Sequence, residues 1–178
     1  MKMWNPAAYL SQHYYHLVAQ ASADLYAGDG AAAVARLDRG WRDVERSLFL
    51  RVQFIRIEAT HLRGRAALAA AAPGRAGAAL RKRALNDARK LDREKMRWAS
   101  ALARLLRAGV AAQEGESAEA DALLDEAVCE LEALDMNLYA QAARRVRGEV
   151  EAVDRWMAQQ HVRNPARMTA LLVPGFSG

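Results

Sequence analysis

Apolar residues recur at three- and four-residue intervals along nearly the whole chain, and no segment alternates apolar with polar residues or gathers β-branched residues as a strand would. The pattern predicts an all-α protein. Asn5 and Pro6 read as a cap and first-turn pair, and a stripe of Leu10, Tyr14, Leu17, Ala21 and Leu25 then runs to a stop at "AGDG". A second stripe carries Ala31, Val34, Leu37, Trp41, Val44 and Leu48, and a third runs from about Ser47 through Val52, Ile55, Ala59, Leu62 and Ala66. "APGRAG", residues 72–77, is the sharpest break, because a proline and two glycines end helix continuity. Beyond it lie a fourth helix with Leu80, Ala84, Ala88 and Leu91 and a fifth with Met96, Ala99, Leu102, Leu106 and Val110. In "EGES", Ser117 is the expected cap of a sixth helix built on Leu123, Leu124, Ala127, Val128, Leu131 and Leu134. A seventh begins near Asn137 and is expected to continue through Val146, Val150 and Val153 to about residue 161.

The chain closes on "NPARMTALLVPGFSG", which places Leu171, Leu172, Val173 and Phe176 in a segment where a free tail would be polar. Asn164 is expected to cap a short terminal helix with Pro165 in its first turn. Met168, Leu171 and Leu172 would face back onto the seventh helix near Val153, Trp156 and Met157. Pro174 and Gly175 would end that helix and let Phe176 tuck in beside it.

A repeat emerges when "AGVAAQEGESAEADALLDEAV" is set beside "ASADLYAGDGAAAVARLDRGW". With Gly115 on Gly28, Ala108 falls on Ala21, Ala120 on Ala33, Leu124 on Leu37 and Ala127 on Gly40. This spacing resembles the tetratricopeptide repeat, in which small residues let the two helices of a hairpin approach closely and a turn glycine reverses the chain. The position of the repeat's tyrosine is Asp24 in one copy and Ala111 in the other, and the middle repeat is stretched by the Pro73 loop, giving a period of about forty residues rather than ~34. "VRNPARMTALLVPGF", "SLFLRVQFIRIEATHLRGRAAL", "LRAGVAA" and "DMNLYAQAARRVRGE" further resemble the C-terminal helical-repeat region of large bacterial, myxobacterial-type serine/threonine protein kinases. Because these are packing motifs, the resemblance implies a shared fold more than a shared activity.

The resulting expectation is a tetratricopeptide-like right-handed α-solenoid of about seven antiparallel helices in one domain, residues 1–178. Hairpins fall at about 5–47, 48–94 and 95–135, followed by a closing helix at about 137–161 and a C-terminal cap at 164–176. With 52% hydrophobic residues, a chain of this length can bury a sizeable core without metal or disulfide. Its single cysteine, Cys129, cannot form an intramolecular bridge and is expected half-buried beside an apolar stripe. With no signal-peptide pattern and no apolar run near ~20 residues, the expected setting is the cytoplasm, without a membrane.

The pI of about 9.7 comes mainly from arginine, which together with abundant alanine is what a GC-rich genome produces, so net charge alone carries little. Distribution says more. Residues 75–97 hold nine bases against three acids, and residues 114–135 hold nine acids and no base. Neighbouring helices of opposite charge would compensate each other, whereas a free basic strip would suit nucleic acid or an acidic peptide. Phosphate-loop spacing is absent from "GDG" and "GRAG", and the kinase catalytic residues are missing, so no enzyme activity and no cofactor are expected. His13 and His16 have the separation of a metal pair but no supporting ligand in sequence.

The expected role is a non-catalytic protein–protein interaction or regulatory scaffold module of a bacterial signalling protein, with a protein or peptide partner held on a concave face. Tyr9, His13, Tyr14, Tyr15, Arg56 and Arg104 are its candidate contacts. The alternative is a nucleic-acid-binding helical domain whose basic patch is Arg81, Lys82, Arg83, Arg89 and Lys90.

Overall fold

The computed structural model describes residues 10–176. Among them are nine α-helices, one short 3-10 turn and no strand. The helices are α1 (Ser11–Ala27), α2 (Gly30–Arg46), α3 (Gln53–Ala70), α4 (Arg75–Arg93), α5 (Arg97–Glu114), α6 (Ser117–Glu132), α7 (Asn137–Val146), α8 (Val150–Gln159) and α9 (Pro165–Leu172), with the 3-10 turn Leu48–Arg51 ahead of α3. None of the described helices is long and apolar enough to cross a membrane.

Two of the connecting turns are alike in detail. Gly28 and Gly115 both adopt the left-handed conformation, at φ 84° and 83°, which a side chain would resist. The following residues reach back identically, Asp29 N–H to the Asp24 carbonyl and Glu116 N–H to the Ala111 carbonyl, both at 2.9 Å. Asp29 then caps α2 by accepting from the Ala32 N–H at 2.8 Å. At the second turn the expected cap is displaced: Ser117 is already the first helical residue, Glu116 precedes it, and no side chain caps α6.

Each helix from α1 to α8 packs on the next in sequence, and α3 also touches α1 and α5. Tyr14 near the start of α1 bonds Glu58 in the first half of α3, and Phe54 near the start of α3 stacks on Trp98 near the start of α5. The odd-numbered helices α1, α3 and α5 therefore run side by side in the same direction. Helix α3 is their centre: from Ile57 to Leu68 every residue except Glu58 and Arg63 is buried. Ion pairs tie neighbours together outside the core. The most enclosed joins Arg63 of α3 to Asp87 of α4 at 2.5 Å, with Asp87 1% exposed and the guanidinium 4.1 Å from the Trp41 ring centre.

Two expectations about the C-terminal third need correction. The single closing helix is two helices, because Gly148 takes φ 101° and ends α7, and the chain restarts at Val150 around a corner held by Arg145 and Asp154 at 2.7 Å. The terminal helix forms as expected, with Asn164 accepting from the Arg167 N–H at 3.0 Å and Pro165 in the first turn. Its docking reaches further: α9 touches α7 and α8 but also α1 and α3. Leu172 and Val173 join the main core, and Leu171 packs on the cluster built by α1, α2 and α3. The chain then passes so close to α5 that a side chain on Gly109 would meet the Pro174 carbonyl oxygen at 2.5 Å, and Gly175 rests on the Gly109 backbone. The expected α1 start at Asn5 and Pro6 lies outside the described residues; Leu10 is extended and α1 begins at Ser11.

Candidate functional site

Phe54, Glu58, His61, Leu62 and Arg65 recur at helical spacing and form one stripe on α3. This stripe lines a cavity of about 590 Å³, closed by Val18 and Ser22 of α1, Trp98 and Leu102 of α5, and Tyr139 of α7 with the turn before it. The volume falls within the ~300–1,000 Å³ usual for small-molecule sites. Most of the wall is apolar or aromatic. His61 and Tyr139 have ring centres 5.7 Å apart, and Phe54 and Trp98 are 5.8 Å apart at the mouth.

The polar groups within this apolar wall are unusual in their partners. Arg65 is 8% exposed, its Nη1 donates to the Leu171 carbonyl oxygen at 2.9 Å, its Nε has no partner, and no carboxylate pairs with it among the described residues. A buried guanidinium is ordinarily paired, since burial of an uncompensated charge is costly. One turn earlier, His61 is 2% exposed and its Nε2 is also without a partner. Burial first, and the Arg65 charge second, hold the imidazole well below its ordinary pKa, so it is neutral near pH 7. Glu58 is engaged differently: the Tyr14 hydroxyl donates to its Oε2 at 2.7 Å.

The residues singled out by sequence do not converge here. Tyr9 lies outside the described residues. His13 is exposed at the start of α1, where its Nδ1 accepts from the Leu10 N–H at 3.0 Å. Tyr14 is 1% exposed and packs with Val44 and Ala59, so it is a core residue and offers no free ring, while its neighbour Tyr15 is 53% exposed. Arg56 donates twice to Glu94, which holds that carboxyl below the usual carboxylate range, and Arg104 pairs with Glu126 at 3.0 Å.

In the basic patch, Arg81 pairs with Glu114, Arg83 with Asp38 and Lys90 with Asp87, Arg89 donates to the Asn86 side chain, and Lys82 is exposed. The acids of α6 are matched chiefly by bases of α5, of α7 and of the residue just after α7, through Arg97–Glu130, Arg144–Glu132 and Arg147–Asp125, rather than by α4. Cys129 is exposed, not half-buried, because it follows Val128 onto the outer side of α6. No group of three or more potential metal ligands gathers among the described residues.

Arg65, Glu58 and His61 are not among the residues that the sequence pattern singles out. The available signal is their three- and four-residue spacing along one stripe of α3. Comparison of the chain with protein-family models, curated proteins and solved structures finds no match.

Proposed function

We propose that this chain is a non-catalytic recognition module: a degenerate, tetratricopeptide-like right-handed α-solenoid that holds a helical or extended peptide on the face of its odd-numbered helices. Sequential packing of α1 to α8, the side-by-side run of α1, α3 and α5, and the matching Gly28 and Gly115 turns support that architecture. The observation that carries the function is the docking of α9, an apolar segment of the chain itself, against α1, α3 and α7. This face accepts a short helix, and Phe54 and Trp98 lie on the same odd-numbered helices, near their starts. A role within a bacterial signalling protein rests on the sequence resemblance alone. Pairing of Arg81, Arg83 and Lys90 with acids of the same fold leaves the nucleic-acid reading without a comparable free surface.

Peptide display against the purified chain tests this directly. Enriched peptides are expected to lose about tenfold or more in affinity for a folded Phe54→Ala/Trp98→Ala variant, as aromatic anchors typically carry ~2 kcal/mol or more. Failure to enrich any peptide, or binding indifferent to both rings, would sink the reading.

A further inference from the structure

The cavity on the α3 stripe carries an inference that does not depend on a protein partner. We propose that it is a binding site for a small organic monocarboxylate with an apolar, aromatic body, the acid gripped by Arg65 and His61 and the body lying between Leu62, Leu102, Trp98 and Tyr139. Three observations point to this class. The first is the unsatisfied pair at the inner end: Arg65 Nε and His61 Nε2 are both buried and partnerless, on side chains one turn apart. A carboxylate accepts from the guanidinium and, with the His61 proton on Nε2, from the imidazole as well, and the guanidinium supplies the opposite charge. A neutral ligand would leave that charge uncompensated.

The second is the wall. Outside this polar end the lining is dominated by aliphatic and aromatic side chains, which favour an apolar body over a sugar or a nucleotide. The third is Glu58, which lies seven residues before Arg65 and so about 10 Å away along the α3 axis. Glu58 lines the same cavity, and a second acid on the ligand would meet its charge. Selectivity for one carboxylate over two follows.

Isothermal titration calorimetry on the full chain with biphenylcarboxylate and phenylbutyrate, their primary amides and biphenyldicarboxylate tests the proposal. Both acids are expected to bind and to raise the melting temperature, with the amides and the dicarboxylate weaker by about tenfold or more. Arg65→Gln should abolish the preference for acid over amide. Because Arg65 also holds the Leu171 carbonyl, Ser22→Phe provides a second variant that fills the cavity from α1; it should stay folded and lose binding of both acids. A peptide with an aromatic C-terminal residue, free or amidated, separates the two sources of such a carboxylate. Binding of the peptide without binding of either free acid would overturn the proposal, as would equal affinity for acid and amide, or acid binding that survives Ser22→Phe.

Discussion

His61 is a residue whose charge state is decided by its neighbours. Burial first and the Arg65 guanidinium second depress its folded-state affinity for a proton, and Ser22, Glu58 and Tyr139 also line the same cavity. In the unfolded chain the imidazole titrates near 6.5, so below that pH the unfolded state binds more protons than the folded one. Its contribution to stability is therefore complete above about pH 6.5 and is lost progressively as the pH falls below it. Melting temperature is expected to drop between about pH 7.5 and about pH 5.5, and His61→Leu should flatten that drop. Glu94 and Glu130, both depressed by arginine partners, lose their contributions only below the ordinary carboxylate range and do not confuse the window. An identical pH slope in the two proteins would refute the assignment.

At the scale of elements, α9 depends on a backbone approach more than on its own sequence. Its eight residues are too few to hold a helix in isolation, so packing of Leu172 and Val173 and the bond from Arg65 must keep it in place. Gly109→Val would put a side chain against the Pro174 carbonyl and is expected to cost about 1–3 kcal/mol in the full chain. In a chain ending at Gln160 the same substitution should cost less, because the Pro174 carbonyl is gone and only the flexible Leu68 side chain, 3.0 Å from an added Cβ, remains. Urea unfolding of the four proteins measures the difference, and equal costs in both backgrounds would mean that Gly109 does not seat the tail.

Much of this level was legible in sequence. Gly28, Gly115 and the Asn164–Pro165 pair announce turns and caps through local backbone chemistry. Gly148 sits within a continuing apolar period and so hid the corner between α7 and α8. The landing site of α9 was invisible because it depends on Gly109, more than fifty residues upstream and unremarkable within its own helix. Arg65 was hidden in an arginine-rich sequence, since what distinguishes it is burial without a carboxylate partner, a fact of three-dimensional packing.

For the whole molecule, the decisive asymmetry is between a helix wrapped on every side and one held on few. Helix α3 contacts α1, α2, α4, α5 and α9, whereas α8 packs on α7 and α9 and buries only Val153 and Met157. Native-state hydrogen exchange should accordingly be slowest in residues 57–68, exchanging only on global unfolding, and fastest among the helices in α8. Comparable protection in both would contradict the hub arrangement. The closure of α9 onto α1 and α3 also has a consequence for biosynthesis. Between the emergence of Arg65 from the ribosome and that of Leu171, its carbonyl partner, lie 106 residues. At about 5–20 residues per second, the nascent chain spends roughly 5–20 s with this face uncovered. During that interval the α9 of a neighbouring chain on the same messenger can occupy it first, giving translation a route to exchanged dimers that refolding of the finished protein at high dilution would not take.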